Sequence, residues 1–102
     1  MGKVDDIIHQ PVRLRIMAAL NALPADEAIE FTRLKAIVAA TDGNLGAHIA
    51  TLEQAAYVGV SKDFVGKKPR TRITMTRDGR RAFALHVAYL REILDGEAIK
   101  EG

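Results

Sequence analysis

The sequence predicts a mainly helical single domain with a small β-hairpin, on three observations. Apolar residues recur at helical spacing in four stretches, and two β-branched runs with period-two alternation flank a Gly- and Pro-containing turn. The 102 residues suffice for only one modest core.

Taken in order, residues 11–23 (PVRLRIMAALNAL) open with Pro11, which fits a first helical turn, and carry Val12, Ile16, Ala19, Leu20 and Leu23 on one face. Pro24 ends that helix. The run Ala28 to Phe31 suits a short strand. Thr32 is placed to cap a two-turn helix that turns Leu34, Ile37 and Val38 inward. After the tight link Ala39–Thr41, Thr41 caps a third helix to about Gln54, with Leu45, Ile49 and Leu52 at i, i+4 and i+7 on its buried face. Tyr57, Val58 and Val60 start one hairpin strand and Thr71, Ile73 and Met75 the other, joined through a turn containing Gly66 and Pro69. Thr76 caps a last helix over residues 77–94. There Phe83, Val87, Leu90 and Leu94 form the inner line, and Ala82, Leu85, Tyr89 and Ile93 widen it. The tail GEAIKEG reads as frayed.

Charge is unevenly spread. Residues 58–81 hold eight Lys/Arg against two Asp, a local charge of +6, whereas the remainder holds seven against eleven, a charge of −4. That asymmetry suits a polyanionic partner. No apolar run approaches the ~20 residues of a membrane span, and the N-terminus MGKVDDIIHQPVRL lacks a cleavable apolar stretch, so a cytoplasmic protein is expected. Zero cysteines exclude disulfides and thiolate metal sites. His9, His48 and His86 stand singly, and no nucleophile motif or phosphate-binding Gly loop occurs. No catalysis, metal or cofactor is expected.

The pieces HQPVRLRIMAAL, EFTRLKAIV, TDGNLGAHIATLEQAAYV, KDFVGKKPRTRITMT and TRDGRRAF, in the order helix, strand, helix, helix, hairpin, helix, resemble the winged helix-turn-helix transcriptional regulators. The likeness is to the small single-domain MarR/ArsR-like group, and it covers nearly the whole chain. It implies a homodimer that reads double-stranded DNA, with the third helix in the major groove and the hairpin, or wing, along the backbone or minor groove. Two departures stand out. Ala56 occupies the position where such regulators usually have Gly before the aromatic of the wing strand, and Gly46 lies inside the third helix. A left-handed backbone at Ala56 would cost roughly 1 kcal/mol.

Within that resemblance the third helix offers Thr41, Gly43, Asn44, Ala47, His48 and Thr51 to DNA. Asn44 is suited to bond adenine bidentately, the alternative being a capping or solvated side chain. His48 is suited to donate to a phosphate or base acceptor, and a plain surface histidine is the alternative. Thr41 and Gly43 suit a phosphate at the positive helix end. Lys62, Lys67, Lys68, Arg70 and Arg72 read as the phosphate and minor-groove contacts of the wing, against the alternative of a charged edge that prevents strand pairing between molecules. The apolar surplus on the last helix predicts a twofold contact through Leu85, Tyr89 and Ile93, joined by Val4, Ile7 and Ile8. A repressor is the expected role, because a chain this small has little surface left to recruit polymerase. The competing reading is a winged-helix protein-interaction module, which the polar groove face of Asn44, His48 and Thr51 disfavours. The residues specify no effector, operator or regulated gene.

Overall fold

The computed structural model describes residues 2–97, and residues 98–102, most of the tail expected to fray, lie outside that range. The elements run α1 (Pro11–Asn21), β1 (Ala28–Glu30), α2 (Phe31–Val38), α3 (Asp42–Gln54), β2 (Val58–Val65), β3 (Lys68–Met75) and α4 (Arg77–Arg91), with a π-helical extension over Glu92–Glu97. Among the described residues no helix is long and apolar enough to cross a membrane.

Local chemistry sets each boundary. The Gln10 side chain accepts from the Arg13 N–H and Pro11 occupies the first turn, so α1 starts where its unsatisfied donors are met. Glu30, not Thr32, precedes α2, and its side chain makes no capping bond. The helix starts two residues earlier than expected because β1 runs directly into it. Ala39 closes α2 in the left-handed conformation (φ 55°), and its N–H bonds the Lys35 carbonyl. Lys35 also reaches Asp42 at 2.7 Å, clipping α2 to the start of α3 across the three-residue link. Thr41 caps α3 by accepting from the Asn44 N–H.

The sheet order is β1-β3-β2, all antiparallel, with Ile29 opposite Ile73 and a hairpin ladder from Val58↔Met75 to Val65↔Lys68. The hairpin turn is therefore the two residues Gly66 and Lys67, and Pro69 belongs to β3. Gly66 takes a positive φ of 62°, which the first central residue of a tight hairpin turn requires. Proline is tolerated in β3 because residue 69 lies beyond the part that β1 covers.

Ile16, Met17 and Leu20 of α1, Leu34 and Val38 of α2, Leu45, Ile49 and Leu52 of α3, and Ile29, Val58, Ile73 and Met75 of the sheet form one core, joined by Phe83. Three expectations give way here. Ile37 is exposed, because an eight-residue helix turns only Leu34 and Val38 inward. Leu94 is 73% exposed, since the change from α to π winding after Arg91 carries it off the line of Phe83. Ile8 is fully buried in the core of its own chain, so it is not available to a partner.

The junction between α3, β2 and α4 is closely packed. Ala56 adopts φ 65°, the left-handed turn that its position suggested. Thr76 donates its hydroxyl to the Ala56 carbonyl at 2.6 Å and accepts from the Gly79 N–H, and its own N–H bonds the Tyr57 carbonyl. A Cβ on Gly79 would lie 2.1 Å from that Tyr57 carbonyl oxygen, a backbone atom that cannot swing aside. Gly79→Ala is therefore expected to cost about 1–3 kcal/mol or more by overpacking, lowering the melting temperature by roughly 4–8 °C per kcal/mol. Gly46→Ala serves as the control. Its Cβ meets nothing within 4 Å, so the helix gains about 1 kcal/mol. Thermal unfolding followed by circular dichroism reads both, and a Gly79→Ala melt equal to wild type would refute the close-packed junction.

Candidate nucleic-acid interface

With Leu45, Ile49 and Leu52 buried, the opposite side of α3 faces solvent, and it is built from Gly43, Ala47, Ala50 and Gln54 with Asn44 and Thr51 along one flank. Ala50 and Gln54 were not anticipated. Continuing the i+4, i+7, i+11 spacing from Gly43 to the end of the helix finds both. Asn44 is exposed, and only its backbone N–H is engaged, by Thr41. Among the described residues its amide has no partner, so both its donor and its acceptor face outward. The Thr41 oxygen accepts in the cap, which leaves its hydroxyl proton free to donate, whereas the Thr51 hydroxyl donates to the Ala47 carbonyl at 3.2 Å and keeps only acceptor capacity.

His48 sits on the edge of this face nearest α1. Arg13 Nη1 lies 3.0 Å from His48 Nδ1, and the same guanidinium donates through Nε to the Ile7 carbonyl. A guanidinium can only donate, so Nδ1 is the acceptor and the imidazole proton is on Nε2. Burial, and then the Arg13 charge, hold the His48 pKa below its ordinary value. The residue is a neutral, oriented single donor. Arg13, which fixes that tautomer, was not singled out in the sequence because its partner lies 35 residues away.

Strand register sorts the wing cations onto two faces. Val58, Val60, Lys62 and Phe64 alternate with their partners Met75, Ile73, Thr71 and Pro69 on the face that packs the core. Ser61, Asp63 and Val65 with Lys68, Arg70 and Arg72 take the other face. There Arg70 grips Asp63 bidentately at 2.9 and 2.7 Å, and Arg72 adds a 3.2 Å bond to the same carboxylate. The hydrogen bond from Arg70 holds the Asp63 carboxyl below the usual carboxylate range and in turn raises Arg70. Among the described residues no carboxylate pairs with Lys62, Lys67 or Lys68. The five wing cations thus divide into three free lysines and two arginines tied to Asp63.

A second cluster ties the N-terminal segment to α4. The Gly2 N–H donates to Glu92 Oε1 at 2.8 Å, the Lys3 N–H to the Leu85 carbonyl at 3.2 Å and the Asp5 N–H to His86 Nδ1 at 3.1 Å. His86 is fully buried, its Nε2 lies 3.3 Å from His9 Nδ1, and Tyr89 stacks on its ring. A backbone N–H can only donate, so His86 accepts at Nδ1, and burial followed by the neighbouring His9 keeps it neutral. Asp5 also accepts from Tyr57 at 2.6 Å, which with burial pushes the phenol up to about 12. These groups satisfy one another as a strap across α4. Of the residues expected at a twofold contact, Leu85 (45%) and Ile93 (36%) are exposed, Tyr89 is half-buried under the strap, and Ile7 packs against the core.

Residues 12–94 match the winged helix DNA-binding domain family. An uncharacterised protein of Methanocaldococcus jannaschii is 38% identical over 88 residues, covering 86% of this chain and 89% of its own. The structure of a transcriptional regulator homologue from Pyrococcus horikoshii superposes with a TM-score of 0.78 at 30% identity, over 88% of this chain and 86% of that one. A MarR-family putative transcriptional regulator from Porphyromonas gingivalis shares the fold at a TM-score of 0.62 and 14% identity, over 94% of this chain and 99% of that one. The matched span runs from α1 into the extension of α4 and so contains the helix-turn-helix, the wing and the exposed face of α3. The chain belongs to the winged helix DNA-binding domain family and is a DNA-binding transcriptional regulator, not an enzyme.

Proposed function

We propose that the chain is a cytoplasmic, homodimeric repressor that places α3 in the major groove of double-stranded DNA and lays the wing lysines along the flanking phosphates. The observation that carries this reading is the outer face of α3. Gly43, Ala47 and Ala50 keep it low enough for close approach to base edges, and the unpartnered Asn44 amide stands at its N-terminal end. Exposed apolar residues of α4 and its extension, Leu85, Ile93 and Leu94, together with Val4, supply the surface for a twofold contact. Occlusion of a promoter needs binding alone, which the outer face of α3 and the wing lysines would supply.

Asn44→Ala tests the readout. It is expected to cost about 1–3 kcal/mol on the preferred duplex and much less on random DNA, because a base-edge bond contributes to discrimination and phosphate contacts do not. The fold is retained, since the Thr41 cap uses only the Asn44 backbone. The preferred duplex is obtained by retardation of the chain's own promoter region, and competition anisotropy measures both affinities. Equal losses on the two DNAs would assign Asn44 a phosphate role.

A further inference from the structure

The wing ends in an apolar pair that neither the core nor the charge pattern explains. Phe64 is 69% exposed, and its partner across the ladder is Pro69, also exposed. Both lie on the face shared with Val60 and Ile73, so they continue the surface against which α3 packs, past the point where the helix ends its cover. Lys62 lies on this same face, and Lys67 and Lys68 stand at the turn and first residue of β3. The carboxylate of the wing, Asp63, is held on the opposite face by Arg70 and Arg72. The result is an aromatic ring on the same sheet face as the free Lys62, with Lys67 at the adjacent turn and Lys68 across the strand on the other face. The surface runs on from the contact between α3 and the sheet.

Such a surface fits a partner that is anionic on its rims and apolar between them. The minor groove has that character, with phosphates along both walls and sugar and base edges inside a cleft ~6 Å wide, too narrow for a helix. Reach is adequate. The eight residues of β2 extend about 26 Å at ~3.3 Å per residue, whereas adjacent major and minor grooves on one face of the duplex are separated by about half of a ~34 Å turn.

We infer that Phe64, backed by Pro69, is an apolar wedge that enters the minor groove beside the segment read by α3, opens one base step and bends the duplex, while Lys62, Lys67 and Lys68 hold the phosphates on either side. The inference rests on the proposed placement of α3 in the major groove. It adds a source of sequence preference without base hydrogen bonds: the flank is favoured where it carries an easily unstacked pyrimidine–purine step.

The test uses a 30-base-pair duplex selected by the wild-type protein from a random pool, labelled at both ends for energy transfer and carrying 2-aminopurine at the flanking step. Wild type is expected to shorten the end-to-end distance and raise 2-aminopurine emission. Phe64→Ala is expected to lose both signals and to bind roughly ten-fold more weakly at every salt concentration, with an unchanged slope of log K against log salt. Phe64→Leu keeps part of the bend. Because the ring is exposed, both variants fold, as circular dichroism melts will verify. Wild-type affinity and bend in Phe64→Ala would overturn the wedge, as would a change confined to the salt slope or a loss confined to self-association on sedimentation. A wild-type protein that selects no sequence would instead overturn the placement of α3.

Discussion

Alanine at Lys62, Lys67 and Lys68 together is expected to flatten the dependence of log K on log salt by roughly 0.9 per lost phosphate contact, hence by up to about 2.7, and to weaken binding to every duplex alike. The effect is large because these lysines have no carboxylate partner among the described residues, so their charge is available to displace counterions. Arg70 behaves differently. Its guanidinium is bound through two hydrogen bonds to Asp63, so Arg70→Ala removes a cation already neutralised and changes the slope less than Lys67→Ala does. Anisotropy titrations at four or more salt concentrations give the slopes. An unchanged slope in the triple variant would show that the wing is not the electrostatic arm, and a larger slope change for Arg70→Ala than for Lys67→Ala would show that DNA competes Asp63 off its arginines.

The division between lysines and arginines marks where sequence reading stops. Charge counting located the wing, and period-two alternation located its strands, but the face on which each side chain lies depends on register. Placing the turn at Gly66–Lys67, with Pro69 inside β3, moves the point at which the two alternations meet. Two caps were legible because they are local, whereas Thr32 was not a cap because β1 runs straight into α2. Thr41 and Thr76 each sit three residues before the N–H they accept from. The left-handed turn at Ala56 was legible from a missing glycine. The need for glycine at 79 was not, since its cause is the Tyr57 carbonyl brought alongside by the docking of α4. His86 and Ile8 teach the same lesson for burial. The N-terminal segment folds back over α4, so a histidine and an isoleucine that look like surface residues are covered from a distance in sequence.

Ile93→Asp is expected to convert the proposed dimer to monomers and to lower affinity for the full site by about 100- to 10,000-fold, the advantage that linking two half-sites provides. The contact that remains after Ile8 is assigned to the core consists of Leu85, Ile93 and Leu94, with Val4 brought beside α4 by the strap. Leu94, at 73% exposure, is the most strongly exposed of these and contributes nothing to its own chain's core. A twofold axis through this patch would pair it with itself and set two α3 helices about 34 Å apart, matching half-sites one helical turn apart. Aspartate at position 93 then buries an unpaired charge twice, once from each chain. In the monomer the same side chain meets water, so the variant keeps its fold and its weak, nonspecific affinity for DNA. Sedimentation velocity at micromolar concentration with and without DNA gives the assembly state. A wild-type chain that is monomeric under both conditions would rule out the twofold architecture, and an Ile93→Asp chain that remains dimeric would move the contact to another face.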